Sequence, residues 1–108
     1  MSMTNYYRIV QYNQNSLTNG TVLFGPTTCG TGLNQLCWCA GLFVDRTGSI
    51  YYSEPYNQRV LKITPFASSV TVVAGITGTF GSSLNELNNP NGVYVDANGT
   101  LFVADQSN

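Results

Sequence analysis

Apolar residues in this chain come in short runs closed by glycine, asparagine or aspartate. "GLFVD" at 41–45 is followed by "RTG", then by "SIYYSE", and "GVYVD" at 92–96 is followed by "ANG", then by "TLFVAD". Runs of four to six β-branched and aromatic residues between such turn signals predict strands. Gly48 and Gly99 supply the positive φ that a tight turn needs. "RVLKIT" at 59–64 and "SSVTVVAG" at 68–75 predict two more strands, joined to the first pair through "PYNQ", where Pro55 presets φ. No stretch carries a sustained 3.6-residue period. "TGLNQL" and "SSLNEL" have room for one helical turn each.

The two phrases belong to a repeat. Sliding the chain by 51 positions places Arg8-Ile9-Val10 on Arg59-Val60-Leu61. It also places Gly30, Leu33, Asn34 and Leu36 on Gly81, Leu84, Asn85 and Leu87. Gly41, Val44, Asp45 and Gly48 fall on Gly92, Val95, Asp96 and Gly99, and Asn57 falls on Asn108. Gly25 lies one position short of this register, on Gly75, which places a one-residue indel in between. Four short antiparallel strands repeating at about 40–50 residues mark β-propeller blades. With strands lettered A to D from the inside outward, the chain reads C-D, A-B-C-D, A-B. That is an all-β fold of about two blades: one whole and two halves. Residues 5–40 form a half blade and its connecting loop, 41–91 a complete blade and loop, and 92–108 a second half blade. "GLFV" and "GVYV", apolar without interruption, are expected to be inner strands buried on both faces. "VLKIT" and "VTVVAG" are expected to alternate as outer strands.

"NPNGVYVDANGTLFVADQSN" and "AGLFVDRTGSIYYSEPYNQRVLKI" resemble NHL repeats. The shared pattern is Pro-x-Gly, an apolar triplet, Asp, a glycine turn, an apolar run, Asp, then Asn-x-Arg-Ile/Val. Pro90, Gly92, Asp96, Gly99, Asp105 and Asn108 match it in the second copy; Gly41, Asp45, Gly48, Asn57, Arg59 and Val60 match it in the first. Cys39 stands in place of Pro90, and Glu54 in place of Asp105. The resemblance runs from Arg8 to the last residue. It implies a propeller, usually six-bladed, that mostly binds partners.

A ring needs about 4–8 blades, so about two imply further blades in cis or a homo-oligomer. Three chains would close six blades, with the A-B half of one copy beside the C-D half of another. The leading "MSMTNY" does not resemble "VADQSN", which it would overlap.

Composition narrows the function. Charged residues make up 8% of the chain, and Arg8, Arg46, Arg59 and Lys62 are its only bases. That is too few for a nucleic-acid footprint. No apolar run approaches the ~20 residues of a membrane helix, and the first residues do not read as a signal peptide. With no histidine and three cysteines, a zinc site or a Cys–His nucleophile is not expected. No cofactor is called for.

Cys29, Cys37 and Cys39 have no cysteine counterparts in the second copy. Cys29 can pair with Cys37 or Cys39 to staple the D-to-A loop, which would favour an extracellular or otherwise oxidising setting. Trp38, in the same loop, is a candidate interaction residue. Asn19-Gly20-Thr21 and Asn98-Gly99-Thr100 match the glycosylation acceptor, but as Asn-Gly turns they need no further explanation. Asp45, Asp96, Glu54, Asn57 and Arg59 recur by position, which favours folding roles: a turn cap, and a clamp between strands B and C. The expected function is therefore a non-enzymatic module binding protein or glycan through blade loops. The alternative is a segment of a propeller enzyme, a metal-dependent lactonase or lyase, whose site lies mostly elsewhere.

Overall fold

A computed structural model describes residues 6–13, 16–35, 37–64 and 69–108. Leu36 and the first five residues, which entered the repeat comparison, lie outside the described residues. The chain is all-β, with antiparallel pairing throughout its named strands. Among the described residues eight strands follow in order: β1 (Tyr6–Asn13), β2 (Ser16–Thr28), β3 (Gly41–Val44), β4 (Ile50–Glu54), β5 (Arg59–Thr64), β6 (Ser69–Gly75), β7 (Pro90–Val95) and β8 (Leu101–Asp105). They form a two-stranded sheet β1-β2, a four-stranded sheet β3-β4-β5-β6 and a two-stranded sheet β7-β8. A single turn of 3-10 helix, Pro55–Asn57, joins β4 to β5. Pro55 starts it, and Gln58 ends it in the left-handed region at φ 58°.

The outer sheets lie on opposite faces of the central one. Side chains alternate across a strand, so Ile50, Tyr52, Leu61 and Ile63 share one face. That face packs with Ile9, Leu23 and Phe24 of β1-β2. The other face carries Ser53, whose hydroxyl donates to the Asn91 carbonyl in β7. Gly41 is required here, because a Cβ at this position would run into that same Asn91 carbonyl. Phe43 meets Tyr94 edge to face, with ring centroids 5.0 Å apart.

The expected burial pattern is redistributed. β3 is not buried on both faces: Leu42 and Val44 are 46% and 49% exposed. The buried strands are β4, throughout its length, and β5, whose Val60, Leu61 and Ile63 are fully covered. The reason is position. β4 and β5 lie inside the central sheet, whereas β3 is an edge strand, with β7 against one of its faces.

A second correction concerns Asn19-Gly20. It is not a turn but lies within β2, with Gly20 opposite Tyr12, because Asn13 already pairs with Ser16. The missing side chain makes room for Val10, whose Cγ1 would clash with a Cβ on Gly20.

The ladder β1-β2 repeats that of β5-β6, irregularity included. Ile9 pairs with Phe24 and Val10 with Val22, as Val60 pairs with Ala74 and Leu61 with Val72. The first strands of these pairs are offset by 51 positions and the second by 50, so the one-residue indel falls between them.

Candidate functional site

Each apolar triplet ends in an aspartate that builds the next turn. Asp45 Oδ1 accepts from the backbone N–H of Thr47 and of Ser49, both at 3.0 Å, and from the Thr47 hydroxyl at 2.7 Å. Gly48 closes the turn at φ 91°, donating to the Asp45 carbonyl. Fifty-one residues later Asp96 Oδ1 accepts from Asn98 and Thr100, and Gly99 stands at φ 84°. The Thr47 hydroxyl is the first cause holding the Asp45 carboxyl below the usual carboxylate range, with the backbone N–H bonds adding to it.

Between these two turns lies an open groove of about 470 Å³. Phe43, Tyr94 and the turn residues Arg46, Thr47 and Asn98 line it. Arg46 is exposed, and Tyr94 is 56% exposed. A planar cation, an aromatic face and exposed turn groups suit a polar ligand surface. The sequence offers Tyr94 among the aromatics able to line a ligand surface, with packing between blades as the favoured use, and Arg46 was passed over as a ligand group. The available signal was that Ala97 replaces Arg46 in the second copy, so that this arginine serves no repeated purpose.

The opposite end of the strands carries the clamp. Arg59 is fully buried, and its Nε donates to Glu54 Oε1 at 2.5 Å. Its terminal nitrogens reach the carbonyls of Thr31, Gly32 and Gln35 at 2.8–3.4 Å and the Thr77 hydroxyl at 3.3 Å. Glu54 uses its other oxygen to accept from the Cys37 N–H at 2.7 Å, and Asn57 donates to the Gly30 carbonyl at 2.8 Å. A buried charge pair is tolerated when the remaining donors and acceptors are satisfied. Here no buried side-chain nitrogen or oxygen among the described residues lacks a partner.

The second copy makes half of the same clamp. Asp105 accepts from the Asn88 N–H at 2.7 Å, and Asn108 donates to the Gly81 carbonyl at 2.8 Å and to Asp105. No arginine stands beside Asp105: Glu54–Arg59 is the one ion pair among the described residues.

Cys29 is bridged to Cys37, leaving Cys39 as the free thiol. The bridge closes a short loop and so removes chain entropy from the unfolded state, worth about 2–3 kcal/mol. Trp38, in the same segment, is 62% exposed. Burial pushes the Cys39 thiol up to about 11, against the opposing effect of a bond with Tyr52. At neutral pH it remains a thiol, a poor nucleophile. Among the described residues no three His, Cys, Asp or Glu side chains are placed to hold a metal ion.

No family model matches the chain. Among curated proteins it is similar to the protein Suppressor of Quenching 1, chloroplastic, of Arabidopsis thaliana, at 34% identity over 73 residues. The match takes in 63% of this chain, which spans 7% of the length of that relative.

Proposed function

We propose that the chain is a stretch of an NHL-type β-propeller, one whole blade between two half blades, serving as a non-enzymatic interaction module. In this reading β1-β2 are strands C-D, β3 to β6 are A to D, and β7-β8 are A-B. Its ligand is a protein or a glycan, taken on the loops at the end of the blades where Arg46, Thr47, Tyr94 and Asn98 gather. One observation carries the non-enzymatic part of the reading. All five acidic residues of the chain, Asp45, Glu54, Glu86, Asp96 and Asp105, accept hydrogen bonds from nearby backbone N–H groups. Four of them do so in pairs 51 residues apart. An acid engaged in the same local bond in each copy is serving the fold, whereas a catalytic acid acts at one place. What remains for recognition is the exposed guanidinium, the tyrosine ring and the polar turn groups.

The test is a screen of the chain against glycan and peptide arrays, followed by titration of the best ligand. Arg46→Ala and Tyr94→Ala should each weaken binding by about fivefold or more, the loss expected of a planar anchor in an interface. Hydrolysis or elimination of an array ligand without its capture would overturn the reading.

A further inference from the structure

β8 and β1 each carry an unpaired edge, since β8 pairs with β7 alone and β1 with β2 alone among the described residues. A row of free N–H and C=O groups is a template for another strand. Within one molecule these edges cannot meet, because the central sheet lies between them. Its Ile50 and Tyr52 face packs on β1-β2 and its Ser53 face on β7.

The two edges are built to fit each other. β8 is the 51-residue counterpart of β4, and β1 is the counterpart of β5. β4 and β5 pair with Glu54 opposite Arg59 and Ile50 opposite Ile63. The same register sets Asp105 opposite Arg8, Phe102 opposite Gln11 and Leu101 opposite Tyr12. Asp105 is already oriented for this, fixed by the Asn88 N–H as Glu54 is by the Cys37 N–H. The loop that would supply carbonyls is folded alike: the Glu86 N–H donates to the Ser83 carbonyl as the Gln35 N–H does to that of Gly32. Arg8, meanwhile, is exposed.

Two apolar faces point the same way. Tyr51 and Ser53 are 7% and 0% exposed beneath β7-β8, whereas their counterpart Phe102 is 55% exposed and Ala104 is open. On the other side of the molecule Val95 is 5% exposed, while its counterpart Val44 is 49% exposed.

We propose that the β8 edge of one molecule pairs antiparallel with β1 of a second copy of this chain, Asp105 opposite Arg8, turning two half sheets into one four-stranded sheet. The joined sheet then lays its Phe102 and Ala104 face over Leu42 and Val44 of the second copy. One contact thus satisfies both strand edges, both open apolar faces and both unmatched charges. The pairing is head to tail, and with the rotation from blade to blade that a propeller has, it closes into a ring. About 4–8 blades take about two to four chains, and six blades take three. This proposal rests on the blade reading above.

The experiment uses the 108-residue chain with Cys39→Ser. One population carries Gln11→Cys and another Phe102→Cys; both positions are exposed, so neither change disturbs the separate fold. Mixed and oxidised, the two should form a disulfide-linked heterodimer, while each alone gives little. The mass of the wild-type chain in solution should be a small whole multiple of the monomer. Arg8→Glu should weaken association about a hundredfold, as expected for breaking a buried, hydrogen-bonded charge pair. A monomer with native strand content and no mixed link would overturn the pairing. So would equal linking within each population, whether the chain is soluble or aggregated. Neither result touches the blade reading, since a monomer with native strand content keeps its strands and loses only the pairing between copies.

Discussion

At Asp45 one oxygen, Oδ1, takes three donors, two from the backbone and one from Thr47. The folded carboxyl therefore releases its proton at lower pH than the unfolded one. Its contribution to stability is present above the unfolded value of about 3.9, and it is lost as pH falls through the folded value. Asp45→Asn should be less stable than the wild type at neutral pH, and the gap should narrow steadily below about pH 4. Urea unfolding of both chains along a pH series reads this directly; a gap that does not change with pH would refute it. The turn itself was legible in the sequence, because Asp and Gly at fixed spacing recur at Asp96 and Gly99. Asn19-Gly20 carried an equally strong local signal and misled. What decides there is the strand pairing, Asn13 with Ser16 and Tyr12 with Gly20, a contact between strands that no dipeptide announces.

The clamp joins elements far apart in sequence: the end of β4, the start of β5 and the loop after β2. Removing Arg59 leaves Glu54 as a buried charge without its partner, and frees three carbonyls that had shared the guanidinium. Arg59→Ala should cost about 3–5 kcal/mol, a large share of the ~5–15 kcal/mol holding a typical domain. The denaturation midpoint measures it, and a loss below about 1 kcal/mol, the value of a surface pair, would show that the clamp is dispensable. The acid, the asparagine and the arginine were readable as a motif. Their partners were not, since the carbonyls of Thr31, Gly32 and Gln35 are backbone groups that any residue provides. Nor does spacing alone choose Cys37 over Cys39 as the partner of Cys29. Strand burial was misjudged for a related reason: "GLFV" is apolar enough for a covered strand, but coverage depends on which sheets lie above and below it, and β3 is an edge.

Among the described residues three sheets stack, with the outer two packed on opposite sides of the central one, whose β3 edge stays open at Leu42 and Val44. All-β architecture and the repeat were legible because turn glycines and aspartates recur with strand-sized runs between them. The groove between the Asp45 and Asp96 turns was not, because it exists only once two hairpins stand side by side, and Arg46 and Tyr94 lie 48 positions apart in the sequence. The opposite placement of β1-β2 and β7-β8 also gives the molecule a direction, a donor end and an acceptor end. Under the proposed pairing, a chain carrying Arg8→Glu keeps its acceptor end and loses its donor end, so it can join an assembly but not complete it. Such a chain is a terminator. Titrated into the wild type, it should abolish closed rings more steeply than its mole fraction, as read by native mass spectrometry. A loss in simple proportion would mean that the two ends do not work in series. In such a mixture a change at one end acts on the intact copies around it as well as on its own molecule.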